Sequence, residues 1–382
     1  MRKILFDLWN AQPLWNSKFH GGGEYIKTVY YRLVGLCPVD FKIIVFYDYS
    51  LFLDDWILDS FASCHVETCN VQKIKDVQII IDEVKPDVFY SGMAHLYAEL
   101  NIPEKTFFCG TIHGLRGIEL PYDSFAYKYF CFPKSLKEWI KPWFGENLRK
   151  KQISYYESGL KKLNSIICVS NHTMFAIKSF FPKINKTFKC YYTPKKTISS
   201  KNVESLNFSD KFILLIGCNR FVKNAYRAIV ALENLFSMGM LSDYKVVAVG
   251  NFPKKILKII QHKEKFIQFD YVSSEKLECF YAKCDFFLYP TLNEGFGMPP
   301  LEAMKYGKTC IVSGVCSLPE VCGDAVYYVN PYDINEIQNR VIMASEKKIC
   351  KDKIEKHLYE IEKRQEADLN NLCNYLFECA FI

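Results

Sequence analysis

One stretch, residues 286–307, constrains the chain more than any other because it combines a strand, a glycine-containing loop and a helix start. The apolar run Phe286–Tyr289 predicts a buried strand, and the loop after it contains Gly295 and Gly297. Two consecutive prolines then open a helix, where proline's missing N–H is not needed. The loop therefore presents free backbone amides at a helix N-terminus, an arrangement that attracts anions such as phosphate.

Two carboxylates bracket this loop, Glu294 before the glycines and Glu302 eight residues later in the helix. A carboxylate repels a phosphate, so both side chains should face neutral hydroxyls. Amides for a diphosphate and carboxylates for ribose and hexose hydroxyls together predict a sugar-nucleotide pocket. An ordinary strand–loop–helix with proline and glycine turn chemistry explains the glycines and prolines, but not both glutamates.

These residues resemble the Glu-x7-Glu motif of the retaining GT-B glycosyltransferases of family 4. The stretches 307–313 and 317–325 are similar to the continuation of that family's sequence. The resemblance implies an α/β protein of GT-B fold, with two Rossmann-like domains facing across a central cleft. It also implies transfer of a hexose, with retention, from a GDP- or UDP-sugar to a glycan or lipid-linked glycan acceptor. The motif as it stands here, Gly-Phe-Gly-Met-Pro-Pro-Leu-Glu, resembles that of bacterial mannosyl- and rhamnosyltransferases of surface polysaccharide assembly.

The length of 382 residues is enough for two domains. Strands alternate with helices along both halves, which predicts parallel doubly wound sheets. We expect a Rossmann-like acceptor-side domain at 1–195 and a Rossmann-like nucleotide-sugar domain at 196–365. The patternless stretch 194–210 should be the linker. By the resemblance, a last helix at 366–382 should cross back to the N-terminal domain.

The resemblance gives the motif residues separate roles. Glu294, together with backbone amides of the loop, should position the hexose, while Glu302 should hold the ribose hydroxyls. The turn before the helix at 274 should lie near the nucleobase and offers an aromatic ring for stacking. Besides Glu302, the expected donor-binding residues of this half are Phe296, Gly297, Met298 and Tyr271.

A basic turn follows the strand that begins at Phe212, and it contains Arg220 and Lys223. Two cations at the end of a strand, beside a helix start, are unfavourable unless they meet an anion. The resemblance makes them the Arg and Lys that neutralise the donor diphosphate. The family pattern is Gly-Arg-x4-Lys-Gly, so Lys223 is in register while Cys218 occupies the Arg position and Arg220 must substitute. The alternative is a pair of solvent-facing turn residues.

In the N-terminal half, the run Gly21–Gly23 separates a first strand from an apolar helix. By the resemblance, the amides of Gly22 and Gly23 approach the donor phosphate or the transferred sugar; the alternative is a mobile turn. The dinucleotide fingerprint Gly-x-Gly-x-x-Gly is missing, which argues against a nicotinamide oxidoreductase.

Three further candidates follow predicted strands, where open α/β sheets bind ligands. His113 matches a family histidine that contacts the donor sugar, although a lone histidine is often structural. Arg116 is a candidate for acceptor or phosphate contact. Asn171 should point toward the cleft as an acceptor contact, but capping of the next helix by Asn171 or Ser170 is an equally good explanation.

The stretch 125–151 interleaves aromatic residues with lysines, and residues 134–162 hold eight Lys or Arg against three Glu. It is either an amphipathic helix with its aromatics packed inward or a surface for a membrane or a lipid-linked acceptor. No apolar run is long enough to span a bilayer, and the N-terminus indicates a strand and not a signal peptide. We therefore expect a cytoplasmic protein without nucleic-acid partners, and the second alternative would make it peripheral at the inner membrane face.

No metal or cofactor is expected. The sixteen cysteines include no Cys-x-x-Cys pair, which argues for reduced thiols and against a zinc site. No Asp-x-Asp motif lies near the predicted cleft, so Arg220 and Lys223 should take the place of a metal. Two alternatives remain: a sugar-nucleotide epimerase of the same fold, and a non-catalytic sugar-nucleotide-binding protein. The Cys218 departure is the only support for the latter.

Overall fold

A computed structural model describes residues 1–13, 20–120, 122–123, 125–130, 132–195 and 210–382, without the side chains of 141–144. The chain divides into two compact units. The first comprises Met1–Leu115, Lys151–Ile198 and Glu362–Ile382, and the second comprises Arg116–Lys150 and Ser199–Ile361. Most of the expected linker, residues 196–209, lies outside the described residues.

The first unit contains a seven-stranded sheet in the order β3-β2-β1-β4-β5-β6-β7, and its pairings are parallel. Its strands are β1 (Arg2–Asp7), β2 (Phe41–Tyr47), β3 (Glu67–Asn70), β4 (Val88–Ser91), β5 (Phe107–Ile112), β6 (Ser165–Cys168) and β7 (Thr187–Cys190). The strand order reverses between β1 and β4, and such a reversal opens a crevice at the carboxyl ends of the strands.

The second unit contains a six-stranded sheet in the order β10-β9-β8-β11-β12-β13, again with parallel pairings. Its strands are β8 (Lys211–Ile216), β9 (Tyr244–Val249), β10 (Phe266–Phe269), β11 (Phe286–Tyr289), β12 (Thr309–Ser313) and β13 (Tyr327–Val329). Here the order reverses between β8 and β11, where Phe286 lies opposite Ile213.

Helices connect the strands of both sheets. They are α1 (Gly21–Gly35), α2 (Asp55–Ser63), α3 (Ile74–Val84), α4 (Arg116–Glu119), α5 (Ala126–Tyr129), α6 (Lys134–Lys162), α7 (Asn171–Phe180), α8 (Ala225–Ser237), α9 (Lys254–Leu257), α10 (Ser274–Lys283), α11 (Met298–Met304), α12 (Leu318–Cys322), α13 (Ile334–Glu346) and α14 (Lys351–Cys379). Within the described residues, no helix has both the length and the apolar character needed to cross a bilayer.

The central strands are buried on both faces, as parallel sheets covered by helices require. In β1, Ile4, Leu5 and Phe6 are fully buried, and β11 is buried along its whole length. This explains why these strands are continuous apolar runs in the sequence. The predicted α/β architecture of two Rossmann-like domains is confirmed.

The segment Arg116–Lys150 differs from the expected domain 1–195, because it belongs to the second unit. Two buried contacts attach it there: Asp123 forms an ion pair with Arg227, and the Tyr129 hydroxyl donates to the carbonyl of Cys218. At the other end of the chain, Phe377 packs within the first unit, its ring centroid 4.9 Å from that of Phe41.

Candidate active site

Lys223 and Glu294 meet at the strand-order reversal of the second unit. β8 ends in a turn at Gly217, whose φ of +66° favours glycine, and a 3-10 turn then places Lys223. Glu294 follows the neighbouring strand β11, so both loops leave the same edge of the sheet. The Nζ of Lys223 lies 2.5 Å from Oε1 of Glu294, and the two side chains are only 8% and 10% exposed.

The same carboxylate oxygen accepts two more hydrogen bonds. The Tyr289 hydroxyl donates to Oε1 of Glu294 at 2.8 Å, and the Thr291 hydroxyl, at 3.1 Å, shares its proton between this oxygen and the Val222 carbonyl at 3.0 Å. Lys223 also donates to the Tyr289 hydroxyl, and its ammonium lies 4.6 Å from the centroid of that ring. Glu294 is therefore held in one orientation by three donors.

Burial and neighbouring charges act in opposite directions on this pair. Burial raises the pKa of Glu294, but the charges of Lys223 and Arg116 outweigh it and lower the pKa below its usual value. For Lys223, burial lowers the pKa, the Glu294 carboxylate opposes this, and Arg220 and Arg116 lower it further. Glu294 is thus a carboxylate at neutral pH, within a cluster of cations.

The loop that carries Glu294 is fixed by hydrogen bonds to its backbone. The amide of Leu292 donates to the Val222 carbonyl at 2.7 Å. The Ser317 hydroxyl lies 3.1 Å and 2.8 Å from the carbonyls of Glu294 and Phe296, to which it donates. The loop ends at Gly297, whose φ is +107°. A β-carbon there would lie 2.5 Å from Cδ2 of Leu318, so both backbone and space require glycine.

Glu302 lies on α11, one turn after Gly297, and is half-buried. The buried Tyr281 donates to its Oε2 at 3.0 Å. The helix itself has seven residues. Of the other loop candidates, Phe296 is buried and Met298 is half-buried.

The Cys218 departure has a structural reason. Its side chain is 1% exposed and belongs to the hydrophobic core of the second unit, and burial raises the pKa of the thiol. Cys218 therefore cannot supply a charge. Arg220 is exposed two residues later, close enough for its charge to lower the pKa of Lys223. Its role as substitute stays a prediction.

Arg116, expected on the acceptor side, belongs to the second unit. Its charge acts on both Glu294 and Lys223. The Nε of Arg116 is buried and has no hydrogen-bond partner among the residues that the structure describes. At the end of the same short helix, Glu119 accepts a hydrogen bond from Asn293 at 3.1 Å. The sequence did not predict that α4 lies beside the loop that carries Glu294.

In the first unit, His113 directly follows β5. Its Nε2 lies 2.9 Å from the carbonyl of Gly92, and because a carbonyl only accepts, this nitrogen donates. Its ring meets that of Tyr25 edge to face, with centroids 4.7 Å apart. Burial lowers the pKa of His113 to about 4, so the imidazole is neutral at physiological pH.

The expected glycine loop is corrected by the structure: Gly22 and Gly23 form the first turn of α1. His20 caps this helix, its Nδ1 accepting from the Gly23 amide at 3.0 Å. A β-carbon at Gly23 would lie 2.9 Å from the Ala11 carbonyl oxygen, so close packing also explains the glycine. The Gly23 amide is thus engaged within the helix cap, and contact of the Gly22 amide with a donor stays a prediction.

Two other candidates, Asn171 and Tyr271, lie near the ends of strands. Asn171 is the first residue of α7, and the cap is the buried Ser170, whose hydroxyl accepts from the Thr173 amide at 3.1 Å. Tyr271 follows β10 and is 71% exposed.

A buried polar cluster that the sequence did not predict lies at the reversal between β1 and β4. The Oδ2 of Asp7 accepts from the Ser91 hydroxyl at 2.6 Å and from the Asn10 amide at 2.7 Å. Burial raises the pKa of Asp7, and these hydrogen bonds oppose the shift. The signal in the sequence was an acidic residue ending an apolar strand.

Residues 197–364 match the protein family described as "Glycosyl transferases group 1". A stretch of 157 residues, 38% of this chain, is 31% identical to the serotype-specific mannosyltransferase WbdA of Escherichia coli. Over 74 residues, 19% of this chain, the identity to the O-antigen chain mannosyltransferase B of Escherichia coli is 43%. Each match spans only 19% of the relative's own length.

The fold extends beyond the matched stretch. The sucrose-phosphate synthase of Thermosynechococcus elongatus superposes with a TM-score of 0.70 at 13% identity, covering 100% of this chain and 99% of that one. The chain therefore has the two-sheet α/β fold of GT-B glycosyltransferases, with similarity to group 1 glycosyltransferases in its C-terminal half.

Proposed function

We propose that this protein is a retaining glycosyltransferase of family 4, which transfers a hexose from a nucleoside-diphosphate sugar to a glycan or lipid-linked glycan. The observation that carries the proposal is the buried Lys223–Glu294 pair at the reversal between β8 and β11, where open α/β sheets bind ligands. The match of this region to group 1 glycosyltransferases supports it.

The donor diphosphate binds among the cations of the second unit. Lys223, Arg220 and Arg116 place three positive charges around the loop after β8. The buried, unpartnered Nε of Arg116 is a donor that a phosphate oxygen would satisfy. Because these charges offset those of the diphosphate, we propose that the reaction needs no metal. Loss of activity in EDTA, with recovery on adding Mg²⁺ or Mn²⁺, would contradict this point.

The carboxylates bind hydroxyls of the donor. Glu294 is ionised, and its second oxygen can accept from a hexose hydroxyl while Oε1 stays bound to Lys223, Tyr289 and Thr291. Glu302, half-buried on α11, accepts from the ribose. The hydrogen bonds to Oε1 stabilise the negative charge of Glu294. This favours a role in positioning the hexose over a role as nucleophile.

Retention then follows from attack by the acceptor on the face that the diphosphate leaves, with the diphosphate taking the acceptor's proton. Negative charge grows on the leaving group in the transition state. Lys223 and Arg220 stabilise that charge where it develops, so they accelerate the step as well as binding the donor.

The candidate groups of the first unit are uncharged. With Nε2–H donating to Gly92, the neutral ring of His113 leaves Nδ1 as an acceptor for a sugar hydroxyl. Gly22 approaches the donor with its backbone, whereas the Gly23 amide stays bonded to His20, and Asn171 contacts the acceptor. Tyr271, exposed after β10, stacks on the nucleobase.

The donor sugar is mannose and the product a bacterial surface polysaccharide, because the similar curated proteins are mannosyltransferases of that kind. The enzyme works at the cytoplasmic face of the inner membrane, with its basic stretch 125–151 at the lipid surface. In that stretch Phe132, Leu136 and Trp139 are 78%, 47% and 54% exposed, with lysines at 134 and 137.

Lipid binding is tested by sedimentation with phosphatidylglycerol vesicles and with phosphatidylcholine vesicles. The wild-type protein should sediment with the anionic vesicles only, and Lys134→Glu/Lys137→Glu should reduce this. The matched double variant Lys258→Glu/Lys263→Glu changes exposed lysines elsewhere and should behave like wild type. Equal sedimentation of both double variants would contradict the proposed surface.

The activity is tested by incubating the purified protein with GDP-mannose or another nucleotide sugar and a mannosylated acceptor, and following the anomeric proton by NMR. We expect a product with the anomeric configuration of the donor. Glu294→Gln should reduce turnover about 100-fold or more, as for other preorganised site groups, whereas the exposed Glu264→Gln should not.

Two results would redirect the proposal. Epimerised sugar from donor alone would indicate a sugar-nucleotide epimerase. Saturable donor binding without turnover on any acceptor would indicate a binding protein. An inverted product would contradict retention while leaving glycosyl transfer intact.

A further inference from the structure

A buried network extends from the segment after α4 to the residue beside Lys223. Both oxygens of Asp123 accept from Arg227, at 2.7 Å and 2.8 Å. Arg227 donates in turn to Oδ1 of Asn224 at 3.2 Å. Asp123, Arg227 and Asn224 are 6%, 3% and 2% exposed, so the whole network is shielded from water.

Asn224 connects three loops through one side chain. Its Nδ2 donates to the carbonyls of Pro290 and Pro331, at 2.9 Å and 2.6 Å. Pro290 begins the loop that carries Glu294, and Pro331 follows β13. Asn224 itself has a φ of +60°, the left-handed region that few residues other than glycine adopt. Its side chain thus fixes the loop of Lys223 against the loop of Glu294.

Stability alone is a poor explanation for such a network. A buried ion pair loses so much hydration that an apolar replacement is often equally stable. A lysine side chain, by contrast, is flexible and takes its position from the backbone that carries it. A network that fixes the backbone at Lys223 therefore determines where the lysine side chain lies.

We infer that Asp123, Arg227 and Asn224 are positioning residues, which hold Lys223 at the point where the donor diphosphate develops charge. The inference rests on the proposed function. It assigns to the segment Arg116–Lys150 a part in the donor site, through Asp123, that the sequence motif does not contain. Misplacement of a catalytic group by about 1 Å can cost about 100-fold in rate.

Asn224→Gly is the sharpest variant, because glycine adopts the same backbone conformation and only the side-chain hydrogen bonds are lost. Asp123→Asn keeps the shape of the carboxylate and removes its charge. The control is Glu233→Gln in the same unit, where a buried carboxylate binds the His262 ring at 2.9 Å and the Gln261 amide at 3.1 Å. This control lowers stability without touching the network.

The measurement is kcat, KM for each substrate and the melting temperature, with rates taken well below the lowest melting temperature. We expect kcat to fall about 10- to 100-fold in Asn224→Gly and Asp123→Asn, with the acceptor KM unchanged. Glu233→Gln should keep the wild-type kcat despite a lower melting temperature.

A wild-type kcat in folded Asn224→Gly, or an equal fall in Glu233→Gln, would overturn the inference alone. Failure of the wild-type protein to bind or turn over any nucleotide sugar would overturn the proposed function and the inference with it.

Discussion

The ammonium nitrogen of Lys223 lies 2.5 Å from a carboxylate oxygen of Glu294, although 71 positions separate them in the sequence. They are neighbours because β8 and β11 are adjacent strands and both residues follow the carboxyl end of their strand. The sequence predicts separate roles for them, with Lys223 at the diphosphate and Glu294 at the hexose. Their contact means that a change in one alters the charge and position of the other.

Replacement of Lys223 by Met should lower kcat by about 10²- to 10³-fold, because it removes a preorganised charge from the leaving diphosphate. The same change should raise the pKa of Glu294, because burial raises this pKa and Lys223 is the main group that lowers it. Lys211→Met, which removes an exposed lysine of the same unit, is the control. Steady-state kinetics with varied nucleotide sugar would compare the two variants. Equal rates in Lys223→Met and Lys211→Met would refute the role of Lys223.

Tyr289→Phe should lower kcat about 10-fold or more, because hydrogen bonds to charged groups contribute about 1.5–3 kcal/mol. The variant removes only the hydroxyl that binds both Lys223 and Glu294 and leaves the buried ring in place. Tyr244→Phe, which removes a hydroxyl bound to Asp285 in the same sheet, should leave kcat unchanged. Parallel kinetics on the two variants separate the site effect from a general loss of stability.

Stability should fall as the pH drops from about 6.5 toward 4, partly because of His113. The folded state holds the pKa of this histidine at about 4, so in that window the unfolded chain binds a proton that the folded chain does not. The contribution of His113 to the free energy of unfolding is therefore complete above pH 6.5 and is lost on acidification. It amounts to about 3 kcal/mol.

His113→Gln should make the stability difference between pH 7 and pH 4.5 smaller, as measured by urea unfolding. His65→Asn changes an exposed histidine and should leave the difference as in wild type. A full wild-type pH dependence in His113→Gln would show that this group does not titrate as described.

Gly297→Ala should destabilise the protein by about 1–3 kcal/mol, because alanine is strained at a φ of +107°. The new β-carbon would also lie 2.5 Å from Leu318, which displaces the loop that carries Glu294. Gly35→Ala is the control, since a β-carbon there meets nothing within 4 Å and φ is not positive. Thermal unfolding of the two variants should differ clearly; equal melting temperatures would contradict the clash.

The sequence predicted the parts of the fold that depend on local patterns. β11 covers the predicted strand Phe286–Tyr289, because four apolar residues buried on both faces are visible as a continuous run. The position of Arg116–Lys150 could not be predicted, since the contact of Asp123 with Arg227 joins residues 104 positions apart. No periodicity in the local sequence indicates such a pairing.

The sequence predicted the charged residues of the candidate site, but not the residues that form hydrogen bonds with them or with their loops. Glu294 and Lys223 stand out because charges beside buried strands need partners. Tyr289 and Ser317 look like ordinary strand and loop residues, and only the folded chain brings their hydroxyls to the loop of Glu294. Gly22 and Gly23 were predicted in a loop because glycine disfavours helices, but the His20 cap stabilises a helix there.

Calorimetric titration with nucleoside diphosphates tests most directly whether the loops after β8 and β11 bind a diphosphate. One of GDP, UDP, dTDP or ADP should bind wild-type protein and the exposed control Lys211→Met with equal affinity. Lys223→Met should bind it at least about 10-fold more weakly, the equivalent of about 1.4 kcal/mol. Equal affinity in Lys223→Met, or no binding of any of these nucleotides to the wild-type protein, would contradict the account.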